Sequence, residues 1–409
     1  MIYVDITELY HFNLTTGIQR VVRKIGRELY GQGKFNDVEF VVSVGSQAYA
    51  LSKECVENLL ESRNLGAVSS PLTKRTWIDF IKSILKASPT IYRYIQSKYV
   101  QRHLSSQVLG ERSNDITRKV DFKGNDKYLI LDSFWAGSTA HRVAKACQKN
   151  KIEVFLVLYD IIPVSHSNLF FPAFSANFRF YLNKVLGHCS KILTISEASK
   201  DEITKYFPQV SSENIQVFPL GSDFSDNVQP TSKVRFENHF LSVGTIEPRK
   251  GISVTLDAFD LLWTQGCDVK LILIGRKGWR VDNLVERITT HNEYGHRLIW
   301  LDNASDKTLT ENYGSCNSVI ISSIVEGYGL PIIEGLSHGS NVIASNIPVF
   351  IEVGKDNIEY YESNDPASLA IKVKSALEKK PRNDISYSPT SWSEAAKVFA
   401  KIIGLDRVN

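Results

Sequence analysis

Short apolar runs alternate with stretches of helical period from one end of the chain to the other. "IYVDI" (2–6) has the continuous apolar character of a buried strand. "GIQRVVRKIGRELYG" follows, with Ile18, Val21, Val22, Ile25 and Leu29 on one helical face and Arg20, Lys24, Arg27 and Glu28 on the other. Further strand-like runs at 38–45, 127–133, 152–160 and 190–196 are separated by helix-like segments. Such a rhythm predicts a parallel sheet covered by helices on both faces.

The pattern stops in "GSDFSDNVQPTSKVRFEN" (221–238), where Gly, Ser, Asp, Asn and Pro dominate, and this segment reads as a linker. It then restarts with strands at 239–244, 269–275, 297–302, 318–323 and 341–345, and helices over 251–264, near 282–291 and 305–314, and from 331. The expectation is an α/β protein of two doubly wound, Rossmann-like domains facing a cleft. The N-terminal domain is expected over 1–221, the linker over 222–238 and the C-terminal domain over 239–389. Ligands of open α/β sheets lie outside the carboxyl ends of the strands, so the strand-end loops are where chemistry is sought.

One stretch departs from the rhythm. Residues 50–120 show no parallel-strand signal and read as a helical insertion. Between Lys74 and Arg102 seven basic residues (Lys74, Arg75, Lys82, Lys86, Arg93, Lys98, Arg102) face a single acid, Asp79, with Trp77, Phe80, Ile81, Tyr92 and Tyr99 interleaved. Two readings stand: a peripheral contact with an anionic inner-membrane surface, or a solvated hairpin packed on the N-terminal sheet. No recognisable nucleic-acid-binding module accompanies it. Five scattered cysteines with no C-x-x-C pair support neither a zinc site nor a disulfide framework, and point to a reducing compartment. Asp5 and Glu8 stand where a signal peptide would need a basic and then an apolar stretch, so the chain reads as cytoplasmic.

Three strand-end loops carry candidate chemistry. "EGYGLPIIE" places Glu326 and Glu334 around a Gly-Pro hinge after the apolar run "SVIISS". Pro331 suits the first turn of a helix, where the amides near Gly329, Leu330 and Ile332 would form an anion site. "SVGTIEPRKG" (242–251) ends in Arg249 and Lys250, a planar fork beside a point charge, which together suit a diphosphate. "LIGRKGW" (273–279) supplies Gly275 and a second basic pair. Each loop alone also fits a capped helix start or an exposed basic turn. The chain contains no G-x-G-x-x-G, no Walker A loop and no D-x-D metal clamp.

Taken together, "VGTIEPRKG", "LILIGRKGW" and the run from "LIWLDNASDK" through "EGYGLPIIEGLSHG" to "NIPVFIEV" closely resemble the donor-binding domain of family-four retaining glycosyltransferases. "EGYGLPIIE" is similar to that family's E-x7-E signature, and "YYESNDPASLA" to its tail segment. The resemblance spans most of 239–403 and is thinner in the N-terminal half, where "TTGIQRVVRKI", "YDIIPV" and "ILTISEASKDEI" carry it. It implies the GT-B fold, with a C-terminal helix at 390–409 crossing back to the N-terminal domain.

The resemblance also implies roles. Glu334 would hold the ribose of a nucleotide-sugar and Glu326 would lie beside the donor sugar. Gly244, Thr245, Gly275 and the amides of Tyr328, Gly329 and Leu330 would line the sugar diphosphate. Arg249 and Lys250 would stabilise the leaving diphosphate, and the base would lie near Asp302. Many members carry arginine directly after the glycine, where this chain has Thr245; the "GTIEPRK" form resembles the mannosyltransferase-like branch.

In the N-terminal half Gly17 would let the backbone approach the donor phosphates, and Arg20, Asp160 and His166 would meet the acceptor. Tyr159 takes the place of a usual histidine and leaves Asp160 to orient or deprotonate the acceptor hydroxyl; the local alternative for Asp160 is a strand-end cap. The implied activity is metal-independent, cofactor-free transfer of a hexosyl group, mannose from GDP-mannose, onto a glycan or lipid-linked glycan of a cell-surface polysaccharide or lipopolysaccharide. A nucleotide-sugar epimerase or hydrolase on the same fold, and a non-catalytic sugar-nucleotide binder, remain as alternatives.

Overall fold

The structure is a computed structural model and describes residues 1–12, 16–30, 37–61, 108, 110, 112–133, 139–223, 236–378, 387 and 389–405. The basic stretch 74–102 and most of the expected helical insertion lie outside the described residues. The chain forms two compact units. The first comprises Met1–Ile195, Ser199–Leu220 and Trp392–Asn409, and the second Ser196–Ala198 and Gly221–Ser391.

The first unit is built on eight strands: β1 (Ile2–Asp5), β2 (Val38–Val44), β3 (Gln47–Leu51), β4 (Ile116–Lys119), β5 (Lys127–Ile130), β6 (Glu153–Val157), β7 (Lys191–Thr194) and β8 (Ile215–Val217). Their order in the sheet is β4-β3-β2-β1-β5-β6-β7-β8. β3 alone runs opposite to the other seven strands. Sequence reasoning passed over β3, β4 and β8. β4 and β8 are the edge strands, β8 only three residues long, and no crossover helix separates β2 from β3, so none of them shows the βαβ rhythm.

The chain starts in β1, moves to β2 on one side and returns to β5 on the other. The β1/β5 boundary is therefore the topological switch point, where such sheets place ligands. Helix Gly17–Tyr30 covers this region with Val21, Val22, Ile25 and Leu29 buried, as the apolar stripe requires. Helix Trp392–Ile403, from the chain's last stretch, packs on it. There Phe399 meets Phe218 edge-on with centroids 5.0 Å apart, and Lys127 donates to the Ile403 carbonyl at 2.8 Å.

The second unit has six parallel strands, β9 (Phe236–Val243), β10 (Lys270–Ile274), β11 (Leu298–Leu301), β12 (Cys316–Ile321), β13 (Asn341–Ser345) and β14 (Glu359–Tyr361), in the order β11-β10-β9-β12-β13-β14. β12 is buried at every position, which its unbroken apolar run anticipates. β9 starts at Phe236, so the expected linker ends earlier than 238. His239, Asn238 and Phe236 lack the alternation that would have marked the strand start. The switch point here is β9/β12. Among the described residues no helix is long and apolar enough to cross a membrane, and all five cysteines are free.

Candidate functional site

Two loops flank the switch point of the second unit, 244–251 after β9 and 322–329 after β12, and backbone packing fastens them together. Gly251 begins helix Ile252–Thr264 in the left-handed region (φ 61°), and a Cβ there would lie 2.0 Å from the Ser322 carbonyl oxygen. The Ile324 amide donates to the Arg249 carbonyl at 2.8 Å, and Ser322 Oγ donates to the Lys250 carbonyl at 2.8 Å. Thr255 Oγ1 donates to Ser322 Oγ from below at 2.8 Å. Gly244 and Gly275 approach equally closely: a Cβ on Gly275 (φ 153°) would lie 1.9 Å from the Gly244 oxygen. The three loops expected from sequence thus form one backbone assembly.

Four charged side chains converge on that assembly. Arg249 Nη1 reaches Glu326 Oε2 at 2.5 Å, and Arg249 Nε reaches Glu247 Oε1 at 2.6 Å. Lys250 Nζ bonds Glu326 Oε1, which also accepts from Ser323 Oγ at 2.8 Å. The Lys250 stem lies against Gly244, whose added Cβ would be 3.5 Å from Lys250 Cε. The side chains of Arg249, Lys250 and Glu326 are 22%, 16% and 10% exposed, so they interact through a medium far less screening than water while keeping a solvent-facing edge. Burial would push the Glu326 carboxyl up, but Arg249 and Lys250 outweigh it and hold it at about 2. Glu247, buried at 3% exposure, is displaced upward by its desolvation against the pull of Arg249. Neither Glu247 nor Ser323 was singled out from sequence, although "GTIEPRK" and "SVIISS" contain them.

Glu334 lies one turn into helix Leu330–Ser337 and is buried, and Tyr313 Oη donates to its Oε2 at 2.7 Å. The Tyr313 ring stacks on His338 with centroids 5.2 Å apart, and His338 Nδ1 lies 2.8 Å from the Glu334 carbonyl oxygen. Tyr313 is therefore part of the carboxylate's support, which no motif disclosed. Helix Leu330–Ser337 starts one residue before Pro331, after Gly329 at φ 110°. The Ile332 amide, expected to point out of the helix start, donates instead to the Gly329 carbonyl at 2.9 Å. This corrects the anion site as drawn from sequence: Ile332 spends its N–H on a local turn. Thr245 and Asp302 are exposed at their strand ends, and Tyr328 and Leu330 are half-buried. Lys277, of the second basic pair, reaches Asp282 at 2.5 Å as an exposed ion pair rather than joining Arg249 and Lys250.

In the first unit Gly17 opens its helix in open space, with nothing within 4 Å of an added Cβ, and Arg20 is half-buried one turn on. Asp160 accepts from the Ile162 amide at 3.1 Å, a local cap, and His166 Nδ1 lies 2.9 Å from Ser165 Oγ, which donates to Glu202 at 2.9 Å. Tyr159, in the usual histidine's place, is buried and donates to the Leu131 carbonyl at 2.8 Å.

The switch point itself holds two buried aspartates that sequence reasoning missed. Asp5 accepts from Thr7 Oγ1 at 2.6 Å and from Tyr128 Oη. Asp132 accepts from the Leu9 amide at 2.5 Å, the Ser133 amide at 2.7 Å and Gln19 Nε2 at 3.3 Å. Asp132 thereby joins the exit of β5 to the two helices that follow β1. Burial pushes its carboxyl up to about 6, against those hydrogen bonds. Their signal in the sequence is an aspartate at the end of each central strand, in "YVDI" and "LILDS".

With this geometry in view, the second unit defines a class. Residues 224–397 match the family model described as "Glycosyl transferases group 1", and the two units have the GT-B fold. Over 98% of its length the chain superposes on HepE from Anabaena, solved with UDP and glucose, with a TM-score of 0.63 at 15% identity, covering 99% of that protein. It matches sucrose-phosphate synthase from Thermosynechococcus elongatus equally well, with a TM-score of 0.63, 14% identity and 98% of each chain covered.

Its curated relatives include several mannosyltransferases and a lipopolysaccharide 1,2-N-acetylglucosaminetransferase of Salmonella typhimurium. It is 28% identical over 327 residues to the serotype-specific mannosyltransferase WbdA of Escherichia coli, covering 74% of this chain and 40% of that one. It is 25% identical over 331 residues to the O-antigen chain mannosyltransferase RfbU of Salmonella typhimurium, covering 81% and 88%. The chain thus spans two-fifths of the length of WbdA, and the resemblance read from "GTIEPRK" is matched by relatives named as mannosyltransferases.

Proposed function

We propose that this chain is a retaining hexosyltransferase that moves mannose from GDP-mannose onto a glycan acceptor, lipid-linked, in the assembly of a lipopolysaccharide O-antigen or related surface polysaccharide. The observation that carries the reading is the convergence of Arg249 and Lys250 on Glu326 at the β9/β12 switch point. The named activities of WbdA and RfbU support the sugar and the setting.

The chemistry follows from charge. As the C1–O bond of the donor breaks, negative charge grows on the diphosphate and positive charge on the sugar ring. The Arg249 fork and the Lys250 ammonium, on backbone held by the Ile324 amide and the Ser322 hydroxyl, stabilise the diphosphate with little reorganisation. Glu326 meets the sugar's hydroxyls and Glu334 the ribose. Asp160 orients the acceptor hydroxyl, aided by Arg20 and His166, and Gly17 leaves room for the diphosphate beside the helix it opens. The acceptor is reached at an anionic membrane surface through the seven basic residues of 74–102. Two cations on the leaving group make the reaction independent of an added metal.

A panel of GDP-mannose, UDP-glucose and UDP-N-acetylglucosamine, each with and without lipid-linked glycan and with EDTA, tests this. The expected result is GDP release from GDP-mannose, accelerated by acceptor and unchanged by EDTA. Turnover indifferent to acceptor would instead favour the epimerase or hydrolase, and no release from any donor would favour the non-catalytic binder.

A further inference from the structure

The cations proposed to meet the diphosphate are already engaged. Arg249 is paired with both Glu247 and Glu326, and Lys250 with Glu326. Two acids and two bases form a network that is electrically balanced within itself. A diphosphate added to it unchanged would bring excess negative charge against two carboxylates in a partly desolvated site, where like-charge repulsion is strong. The two acids are not equivalent. Glu247 is 3% exposed and bonds the Nε edge of Arg249. Glu326 is 10% exposed, belongs to the loop 322–329, and takes both the Nη1 edge of Arg249 and the Lys250 ammonium. Nη1 and the ammonium are donors a diphosphate would use. Glu326 is the carboxylate that occupies the ligand's donors, and Ser323 Oγ holds it there.

We infer that Glu326 is a resident counter-anion of the phosphate clamp, and that donor binding is an exchange in which the diphosphate displaces Glu326 from Arg249 and Lys250. This inference rests on the proposed donor site. The exchange has a consequence for specificity. A displaced carboxylate needs new hydrogen-bond donors, and the hydroxyls of a donor sugar supply them. A nucleoside diphosphate without a sugar supplies none, and so bears the cost of displacement uncompensated. Glu326 thereby sets the preference for intact donor over spent nucleotide, which favours product release. In the unliganded state the same ion pairs keep the two cations from clustering unpaired in a desolvated site.

Calorimetric titration of the full chain with inorganic pyrophosphate, GDP and GDP-mannose tests the exchange. Glu326→Gln is expected to bind pyrophosphate and GDP about tenfold more tightly than wild type. GDP-mannose should gain much less, so the ratio of GDP to GDP-mannose dissociation constants shrinks by about tenfold. The variant's Tm should fall without ligand and rise more steeply with pyrophosphate than that of wild type. Should Glu326→Gln fail to fold, Ser323→Ala, which loosens the hold on Glu326 and keeps its charge, is expected to tighten GDP by about threefold. Wild-type binding of GDP with equal or weaker binding in the folded variants would overturn the inference. Wild type binding none of the three probes would overturn the donor site itself, and the exchange with it.

Discussion

Tyr313 shows how much a single hydroxyl can hold. Its ring is fully buried against His338 and its Oη donates to Glu334 Oε2 at 2.7 Å. Tyr313→Phe keeps the ring and removes the Oη bond to the carboxylate. Donor KM should rise about three- to tenfold with kcat within twofold, because the bond supports ground-state and transition-state binding alike; steady-state kinetics with varied donor checks this.

Asp132 is a second residue whose role is measurable. Burial lifts its pKa from the ordinary 3.8 to about 6 in the folded chain, so between those pH values the folded chain keeps a proton that the unfolded chain has lost. Its contribution to stability is therefore largest below pH 4 and declines as pH rises through 6. Wild-type stability relative to Asp132→Asn should fall by on the order of 3 kcal/mol from pH 4 to 7, a trend that urea titrations at several pH values would reveal.

At the scale of elements, the glycines at strand ends decide whether the site forms. A Cβ on Gly275 would meet the Gly244 oxygen at 1.9 Å, and its φ of 153° is one that side chains rarely adopt. Gly275→Ala should cost at least ~3 kcal/mol and separate the β9 and β10 loops; Gly187→Ala, with open space around it, is the control, and thermal unfolding compares the two.

These loops explain what was legible in the sequence. β1, β2, β5, β6 and β7, and all but the last strand of the second unit, are apolar runs long enough to stand out, and Arg249, Lys250, Glu326 and Glu334 follow such runs directly. β3, β4, β8 and β14 are short or at an edge, where burial is incomplete and no periodic signal builds up. Glu247, Ser323, Tyr313, Asp5 and Asp132 act through tertiary partners up to 123 residues away, as Leu9 to Asp132 does, and a distance along the chain does not report a distance in space. The Ile332 amide was misread because Gly329 and Pro331 together make a turn that consumes it.

For the whole molecule, the two sheets place both switch points at strand carboxyl ends, one lined by Asp5 and Asp132 and the other by the Arg249–Lys250–Glu326 network. The central claim is that the second of these stabilises a departing nucleoside diphosphate. Transfer of labelled mannose from GDP-mannose to a lipid-linked glycan, compared between wild type and Arg249→Ala, addresses it most directly. The account predicts label in the glycan with wild type and a kcat lower by about 10²–10³ in the variant, the usual effect of deleting one preorganised charge donor. Transfer by Arg249→Ala at the wild-type rate would contradict it.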